Sequence, residues 1–295
     1  MQYLLSNKYW ALEEGFFDKF ASLMFKWVSE GNQPETFPFI NRSQANLAMR
    51  MKEGYGQEED YLPYSLQEEV AIIPIEGVIT PKGDLCSNGI YDIINSIHHA
   101  NTNNKVRAIV MDTDSQGGSV SGVQDLYRAI LKSEKPVVAL ARNNMHSASY
   151  WVNAGATHIM ASTPNTSFVG SIGVYLTHYD YSKQDEKDGL TVTYITSEKA
   201  IHKTLGNPHK PLSDMAMIVF QEEVNRLHET FIKDVEFKRK KSRKQGSDNY
   251  TGSSWDGEQA LERGLIDSIA EDGLNSAIQK ALELSPSKYF FKPII

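Results

Sequence analysis

The sequence contains very little cysteine, since Cys86 is the only one among its 295 residues. One cysteine cannot form a disulfide within the chain, and scarce cysteine is typical of proteins from a reducing compartment. Long apolar runs are also missing, because no stretch reaches the roughly 18 residues of a membrane-spanning helix. The opening residues, MQYLLSNKYWALEEGFFDKF, interrupt their apolar pattern with acidic side chains and lack the basic region of a secretory signal. We therefore expect a cytosolic protein without a membrane span.

An excess of positive charge is absent as well. The net charge is −7 and the isoelectric point is about 5.7, so non-specific binding to nucleic acid or to an anionic membrane is not expected. One basic run stands out at residues 233–249, which contain seven lysines and arginines. We interpret this run as a solvated helix end leading into a flexible loop. The alternatives are docking of an acidic assembly partner and a lid over a cleft.

The distribution of apolar residues divides the chain into three parts. Residues 1–69 form an arm: apolar residues at helical spacing predict an amphipathic helix over residues 8–28, and a polar stretch with scattered glycine and proline follows. Residues 70–272 are predicted to form the main domain. Residues 273–295 are predicted to form a C-terminal helix and tail.

Strand and helix patterns alternate within the main domain. Buried strands are predicted at 70–79, 106–115 and 135–143, with helices at 89–103 and 119–133 between them. Short connections of this kind imply right-handed crossovers and a largely parallel sheet in an α/β fold. Further elements are predicted: strands in HIMAS and TVTYIT, a helix over 212–241, and a capped helix in SSWDGEQALERGLIDSIA that ends near Gly264 and precedes a short strand.

A glycine pair follows the second predicted strand, in MDTDSQGGSVSG at 111–122. Ligands bind at the carboxyl ends of strands in open α/β sheets, and Gly117 and Gly118 would let the backbone turn and expose N–H groups. Such N–H groups at the start of a helix can hold an oxyanion. The alternative is an ordinary glycine turn in which Ser119 caps the next helix.

A hydroxyl group follows the third predicted strand, in NNMHSASYWVNAG at 143–155. This stretch reaches the same edge of the sheet as the glycine pair, so Ser147 could be a nucleophile beside an oxyanion hole. The alternative is that Ser147 or Ser149 is only a helix N-cap.

A serine nucleophile requires a base. His146 and His178 are candidates, although neither has an evident aspartate partner. A lysine can serve instead if burial favours its neutral form, because an exposed lysine is almost entirely protonated at pH 7. Lys199, Lys203 and Lys210 lie in the segment SEKAIHKTLGNPHKPLS, and the Gly206-Asn207-Pro208 turn could hold Lys203 in place.

Five motifs in order resemble the signal peptide peptidase A family of serine–lysine peptidases, and in particular its soluble branch in phage and prophage head-assembly modules. They cover about residues 70–272 and are DSQGG (114–118), SASYW (147–151), GSIGV (170–174), which is a strand in the family pattern, KTLGNPHKPLS (203–213) and WDGEQALERGLID (255–267). The resemblance implies a crotonase-like, or Clp protease-like, fold with repeated β-β-α units. It also implies a homo-oligomer that acts on polypeptides, such as phage coat or scaffold protein, in the host cytosol or the assembling head. It implies no metal and no organic cofactor.

The family pattern assigns roles residue by residue. It makes Ser147 the nucleophile and Lys203 the general base, with Ser171 orienting the lysine and Gly117 and Gly118 supplying the oxyanion hole.

Three positions depart from the family pattern. Gln116 replaces the usual proline, and Ser149 stands where glycine or alanine is common. The segment SEKAIHK is about two residues longer than the family norm, which leaves Lys199 as a rival to Lys203. The spacing to the downstream G-N-P favours Lys203.

The leading hypothesis is therefore a serine endopeptidase that acts through an acyl-enzyme, and a signal-peptide-degrading role is one alternative to head assembly. A second class is acyl-CoA chemistry, which the same fold also supports, although such enzymes commonly use carboxylates where this sequence has serine and lysine. A third class is a non-catalytic structural protein of a phage head, which would keep its full function after Ser147→Ala.

Overall fold

The computed structural model describes residues 10–12, 62–83, 88–239 and 247–286. Its strands are β1 Trp10–Leu12, β2 Ser65–Gln67, β3 Val70–Ile79, β4 Ala108–Ser119, β5 Val137–His146, β6 His158–Ala161, β7 Phe168–Gly170, β8 Ser254–Asp256 and β9 Ser268–Ile269. Its helices are α1 Ile90–Thr102, α2 Val123–Leu131, α3 Ala148–Asn153, α4 Ser182–Lys187, α5 Asp214–Arg239, α6 Gly257–Glu262 and α7 Gly273–Leu284, with a 3₁₀ turn at Ser247–Tyr250.

The strands form one mixed sheet in the order β2-β3-β4-β5-β6-β9. All neighbours from β3 to β9 are parallel, and β2 pairs antiparallel with β3 at the edge. Parallel neighbours require crossover connections, which α1, α2 and α3 supply between successive strands. The predicted α/β architecture with a mostly parallel sheet is therefore confirmed.

The core lies on both faces of this sheet, because successive residues of a strand point to opposite sides. Ile73, Ile109 and Ala139 belong to a cluster that includes apolar residues of α1, α2 and α3. Their neighbours Ile72 and Val110 belong to a second cluster that includes residues of α7. Central strands that are covered on both faces read as the continuous apolar runs seen in the sequence.

The boundaries of the three predicted parts remain predictions. The described residues include a helix, α7, in the predicted C-terminal part, and it packs on the sheet of the main domain. None of the helices in the described ranges combines the length and the apolar character needed to cross a bilayer.

The N-terminal arm departs from its prediction at one place. The helix predicted over 8–28 cannot include Trp10–Leu12, because these residues form β1 and pair antiparallel with Gly117–Ser119 of β4. The other residues of that predicted helix lie outside the described residues. The spacing of apolar residues reflects local structure, so it does not predict a strand that forms by pairing with a segment far away in the sequence.

Two strand predictions also need correction. TVTYIT (191–196) is not a strand: it has no secondary structure and its residues are exposed or half-buried. β-branched residues favour a strand only where a partner and a covered face exist. In GSIGV, the strand ends at Gly170, and Ser171 takes a backbone φ of 53° that breaks the ladder.

The basic run at 233–249 begins with a fixed helix end, which differs from the solvated end predicted for it. Arg239 is buried, and its Nη2 donates to the carbonyl of Ala156 at 2.7 Å. Its Nη1 lies 2.5 Å from Asp267 Oδ2. The final turn of α5 is thus attached to the domain, and residues 240–246 lie outside the described residues.

Candidate active site

Ser147 lies at the junction between β5 and α3. Its backbone has φ 53° and ψ −118°, which is an uncommon conformation for a residue with a side chain. The Ser147 N–H donates to the carbonyl of Gly170 at 2.8 Å, and its carbonyl accepts from the N–H of Trp151 at 2.8 Å. Strained backbone of this kind persists only where surrounding contacts hold it, and it is concentrated at functional sites.

The hydroxyl of Ser147 does not cap α3. No side-chain capping bond is formed, and Oγ instead donates to the carbonyl of Gly173 at a long 3.4 Å. The N-cap interpretation of Ser147 therefore lacks the hydrogen bond that defines it. Because the hydrogen bond to Gly173 is long and weak, the Ser147 hydroxyl can turn toward another partner at little cost.

Ser149 has a different environment. It is fully buried, and its Oγ lies 2.9 Å from the carbonyl of Ser115 and 2.8 Å from the carbonyl of His146. Its hydroxyl therefore joins α3 to the ends of β4 and β5. Of the two serines in SASYW, Ser149 has the structural contacts and Ser147 has the backbone conformation expected of a nucleophile.

Two aromatic side chains fix the short helix α3 in the core. The hydroxyl of Tyr150 donates to the carbonyl of Leu265 at 2.9 Å, and burial raises its pKa well above the usual value. The Trp151 indole stacks on Phe231 with centroids 4.4 Å apart, and its N–H donates to Asp234 at 2.8 Å. These contacts tie the turn at Ser147 to α5 and to the segment after α6.

The glycine pair lies at the end of β4, beside β3. Gly117 has φ 99°, which favours glycine, and Gly118 is opposite Ile79 in the sheet. Ser115 of β4 is paired with Met145 of β5, so Gly117 and Ser147 each lie two residues beyond a paired position. The structure thus places the predicted oxyanion residues at the level of the Ser147 turn.

Ser115 has a role that the sequence analysis missed. Its Oγ accepts the N–H of Gly117 at 3.1 Å and donates to the carbonyl of Gly77 at 2.6 Å. An oxyanion at the Gly117 amide would therefore have to replace this hydroxyl. The serine stands within the quoted DSQGG motif, but only its contacts distinguish it from a turn residue.

Gly118→Ala is expected to lower the free energy of unfolding by at least about 1–3 kcal/mol. A Cβ at this position would stand 2.0 Å from the carbonyl oxygen of Ile79, so β3 and β4 would have to separate. Gly173→Ala is the matched control, because its Cβ would meet only an ordinary contact at 3.5 Å. Chemical denaturation of both variants measures the difference, and equal stability would contradict the close packing of β3 on β4.

Gln116, which departs from the family pattern, has a partner in the structure. Its Oε1 lies 2.6 Å from Nδ1 of the buried His146. This bond joins the glycine turn to the residue before Ser147. It also engages the ring nitrogen of one of the two histidines considered as bases.

A network of charged side chains joins β3, β4 and β5 at positions that precede Ser147 and the glycine pair in the strands. Arg142 of β5 donates to Asp112 of β4 at 2.9 and 2.7 Å, and to Glu76 of β3 at 3.0 Å. Burial raises the pKa of Asp112, while its bonds to Arg142 act in the opposite direction. The network fixes the relative positions of the strands that carry Ser147 and the glycine pair.

Ser171 lies beside the nucleophile turn. It follows Gly170, whose carbonyl accepts the Ser147 N–H, and precedes Gly173, whose carbonyl accepts the Ser147 hydroxyl. Ser171 is largely buried, and its N–H donates to the carbonyl of Ser253 at 2.8 Å. Ser171 therefore lies within the segment whose carbonyl groups hold the Ser147 turn.

Among the described residues, Lys199 and Lys203 are not part of this cluster. The side chains of Lys199 and Lys203 are both exposed, and within the described ranges no hydrogen bond joins either ammonium group to Ser147. The turn after Lys203 is nevertheless fixed: a Cβ on Gly206 would stand 2.6 Å from the Phe220 ring of α5. Neither lysine is distinguished from the other by its contacts.

The described part of the chain contains no group of three His, Cys, Asp or Glu side chains placed to hold a metal ion. Cys86 lies outside the described residues.

Comparison with known proteins gives a family match. The model of peptidase family S49 matches residues 129–286. The chain is 25% identical to "Protease 4" of Haemophilus influenzae over 226 residues, which cover 75% of this chain and 35% of that protein. It is 27% identical to "Capsid assembly protease C" of Escherichia phage lambda over 225 residues, which cover 70% of this chain and 47% of that protein. The chain thus spans less than half the length of either relative.

A solved structure with a similar arrangement is an enoyl-CoA hydratase from Shewanella pealeana. It is 13% identical in sequence, with a TM-score of 0.43, and the match covers 74% of this chain and 72% of that one.

Proposed function

This chain belongs to peptidase family S49, and we propose that it is a serine endopeptidase that uses a Ser147–Lys203 dyad. The observation that carries the proposal is the conformation of Ser147: a strained turn presents a weakly bonded hydroxyl at the level of a glycine strand end. Nucleophiles of acyl-transfer enzymes need such a presentation, together with backbone N–H groups for the oxyanion.

The proposed reaction has two halves. The neutral amine of Lys203 takes the proton of Ser147, and Oγ attacks the carbonyl carbon of the substrate peptide. Backbone N–H groups at Gly117 and Gly118 hold the oxyanion until the C–N bond breaks and the lysine protonates the leaving amine. Water activated by the same lysine then attacks the acyl-enzyme and releases the second product. Ser171 would orient the lysine.

The exposure of Lys203 has a consequence for this mechanism. A lysine acts as a base near neutral pH only when burial favours its neutral form. Exposed apolar side chains surround the segment: Ile195 is 95% exposed and Ile201 is 72% exposed, and Leu190, Met215 and Ile218 are more than half exposed. Where exposed apolar side chains form a contiguous patch, they mark association surfaces. We therefore propose that a second copy of the chain packs on this segment and buries the lysine, so that the active form is a homo-oligomer.

Phage head assembly is the proposed setting. The support is the relationship to a phage lambda protein named as a capsid assembly protease. In this setting the substrates are coat or scaffold polypeptides, and the protein acts in the host cytosol or the assembling head. Confinement within an assembly would limit the damage done by a protease of low selectivity.

Co-expression with a candidate phage coat protein tests this role. We expect a trimmed coat band with the natural sequence and an untrimmed band with Ser147→Ala, measured by intact mass. If the coat stays intact while detergent-solubilised signal peptides are degraded, then clearance of signal peptides replaces head assembly as the role.

A further inference from the structure

The described N-terminal strand lies in the candidate active site. β1 pairs with β4 through Trp10 opposite Ser119, Ala11 opposite Gly118 and Leu12 opposite Gly117. Residues more than a hundred positions apart in the sequence are therefore joined at the glycine pair.

The register shows on which side β1 lies. One edge of β4 is taken by β3, which pairs with the same two glycines through Val78 and Ile79. β1 must therefore occupy the other edge, which belongs to β5 up to the pairing of Ser115 with Met145. Beyond that point β5 leaves the edge of β4 and leads into the turn at Ser147. β1 thus takes the edge of β4 that β5 has left, on the side where β5 leads into the Ser147 turn.

The burial of Ser147 agrees with an occupied site. Ser147 is only 1% exposed. A protein substrate must bring its carbonyl carbon into contact with Oγ, so an open cleft would leave this residue accessible. Extended polypeptides bind exposed sheet edges by adding a strand, with main-chain hydrogen bonds supplying the affinity. The edge at 117–119 already has such a strand, from this same chain.

We propose that Trp10–Leu12 is an internal pseudosubstrate that occupies the strand position a polypeptide substrate would take. The inference rests on the proposed peptidase function, and it adds that the chain inhibits itself until β1 leaves the edge of β4. A substrate strand and β1 then compete for the same N–H and C=O groups of Gly117–Ser119.

The test uses full-length variants in which β1 cannot pair. Ala11→Pro and Leu12→Pro each disturb the strand, because proline cannot donate to a ladder. Ala11→Val is the matched control, since a β-branched residue keeps the strand. In a Ser147→Ala background, which cannot turn over, we expect the proline changes to raise the affinity for a labelled peptide of residues 6–16 about tenfold, equivalent to about 1.4 kcal/mol. Fluorescence anisotropy measures this affinity.

A second arm keeps Ser147 and measures kcat/KM on a short reporter peptide. The proline variants are expected to be about tenfold faster than the natural sequence, and Ala11→Val unchanged. Equal peptide affinity in all folded variants would overturn the proposal. A higher affinity without hydrolysis in any variant would support the pseudosubstrate and reject the peptidase function, so the two failures are distinguishable.

Discussion

Ser147→Ala is expected to abolish peptide hydrolysis, with kcat lower by about 10⁶-fold, the typical loss when a nucleophile is removed. The structural cost should be about 1 kcal/mol or less, because the change deletes one oxygen whose one hydrogen bond among the described residues is 3.4 Å long. The measurement is hydrolysis of a reporter peptide alongside thermal unfolding. A CoA-thioester assay run in parallel tests acyl-CoA chemistry.

Ser149→Ala is the control for this prediction. It removes a buried hydroxyl that lies within 2.9 Å of two carbonyl groups, so the free energy of unfolding should fall by about 1–3 kcal/mol. Activity per folded molecule should remain. An active Ser147→Ala beside an inactive Ser149→Ala would show that Ser149 is the nucleophile. Full biological function after Ser147→Ala would favour a structural role in the phage head.

Lys203→Ala should inactivate the protein as completely as the serine change, because members of one catalytic unit are strongly non-additive. Lys203→Arg should be equally inactive, since a guanidinium keeps the positive charge but cannot give up its proton. The fold should be unaffected: the side chain is exposed, and surface substitutions usually change stability by about 0.5 kcal/mol or less. Steady-state kinetics with a denaturation curve for each variant separate the two effects.

Lys199→Ala is the matched control, because Lys199 is also exposed and lies four residues away on the same segment. We expect it to retain activity. The reverse pattern, an inactive Lys199→Ala and an active Lys203→Ala, would transfer the role of base to Lys199.

The sequence predicted the elements whose cause is local. The continuous apolar runs predicted β3, β4 and β5, and the apolar spacing after Asp214 predicted α5. The order of motifs also predicted that Ser147 and the glycine pair would lie at one edge of the sheet, and Gly117 and Ser147 each lie two residues beyond the Ser115–Met145 pair. The positive φ of Ser147 and the hydrogen bond between the Ser115 hydroxyl and the Gly117 N–H were not predictable from the sequence and are seen only in the structure.

The remaining features depend on contacts between distant segments. TVTYIT has the composition of a strand, yet no described strand pairs with it. β1 has helical spacing and becomes a strand because the edge of β4 is available to it. Lys203 is exposed among the described residues, and the proposed burial by a second copy is a contact that residue spacing does not encode. Residue patterns indicate the propensity of a segment for a strand, whereas the formation of the strand depends on a pairing partner.

The partners of β7 determine when the active site can form during synthesis. β7 supports the Ser147 turn through the carbonyl of Gly170, and β7 is itself paired with β8, whose Trp255 lies opposite Val169. β8 leaves the ribosome about a hundred residues after the nucleophile. A nascent chain that already contains Ser147 therefore lacks the strand that supports its turn. A site that depends on this support cannot form until almost the whole domain has been translated.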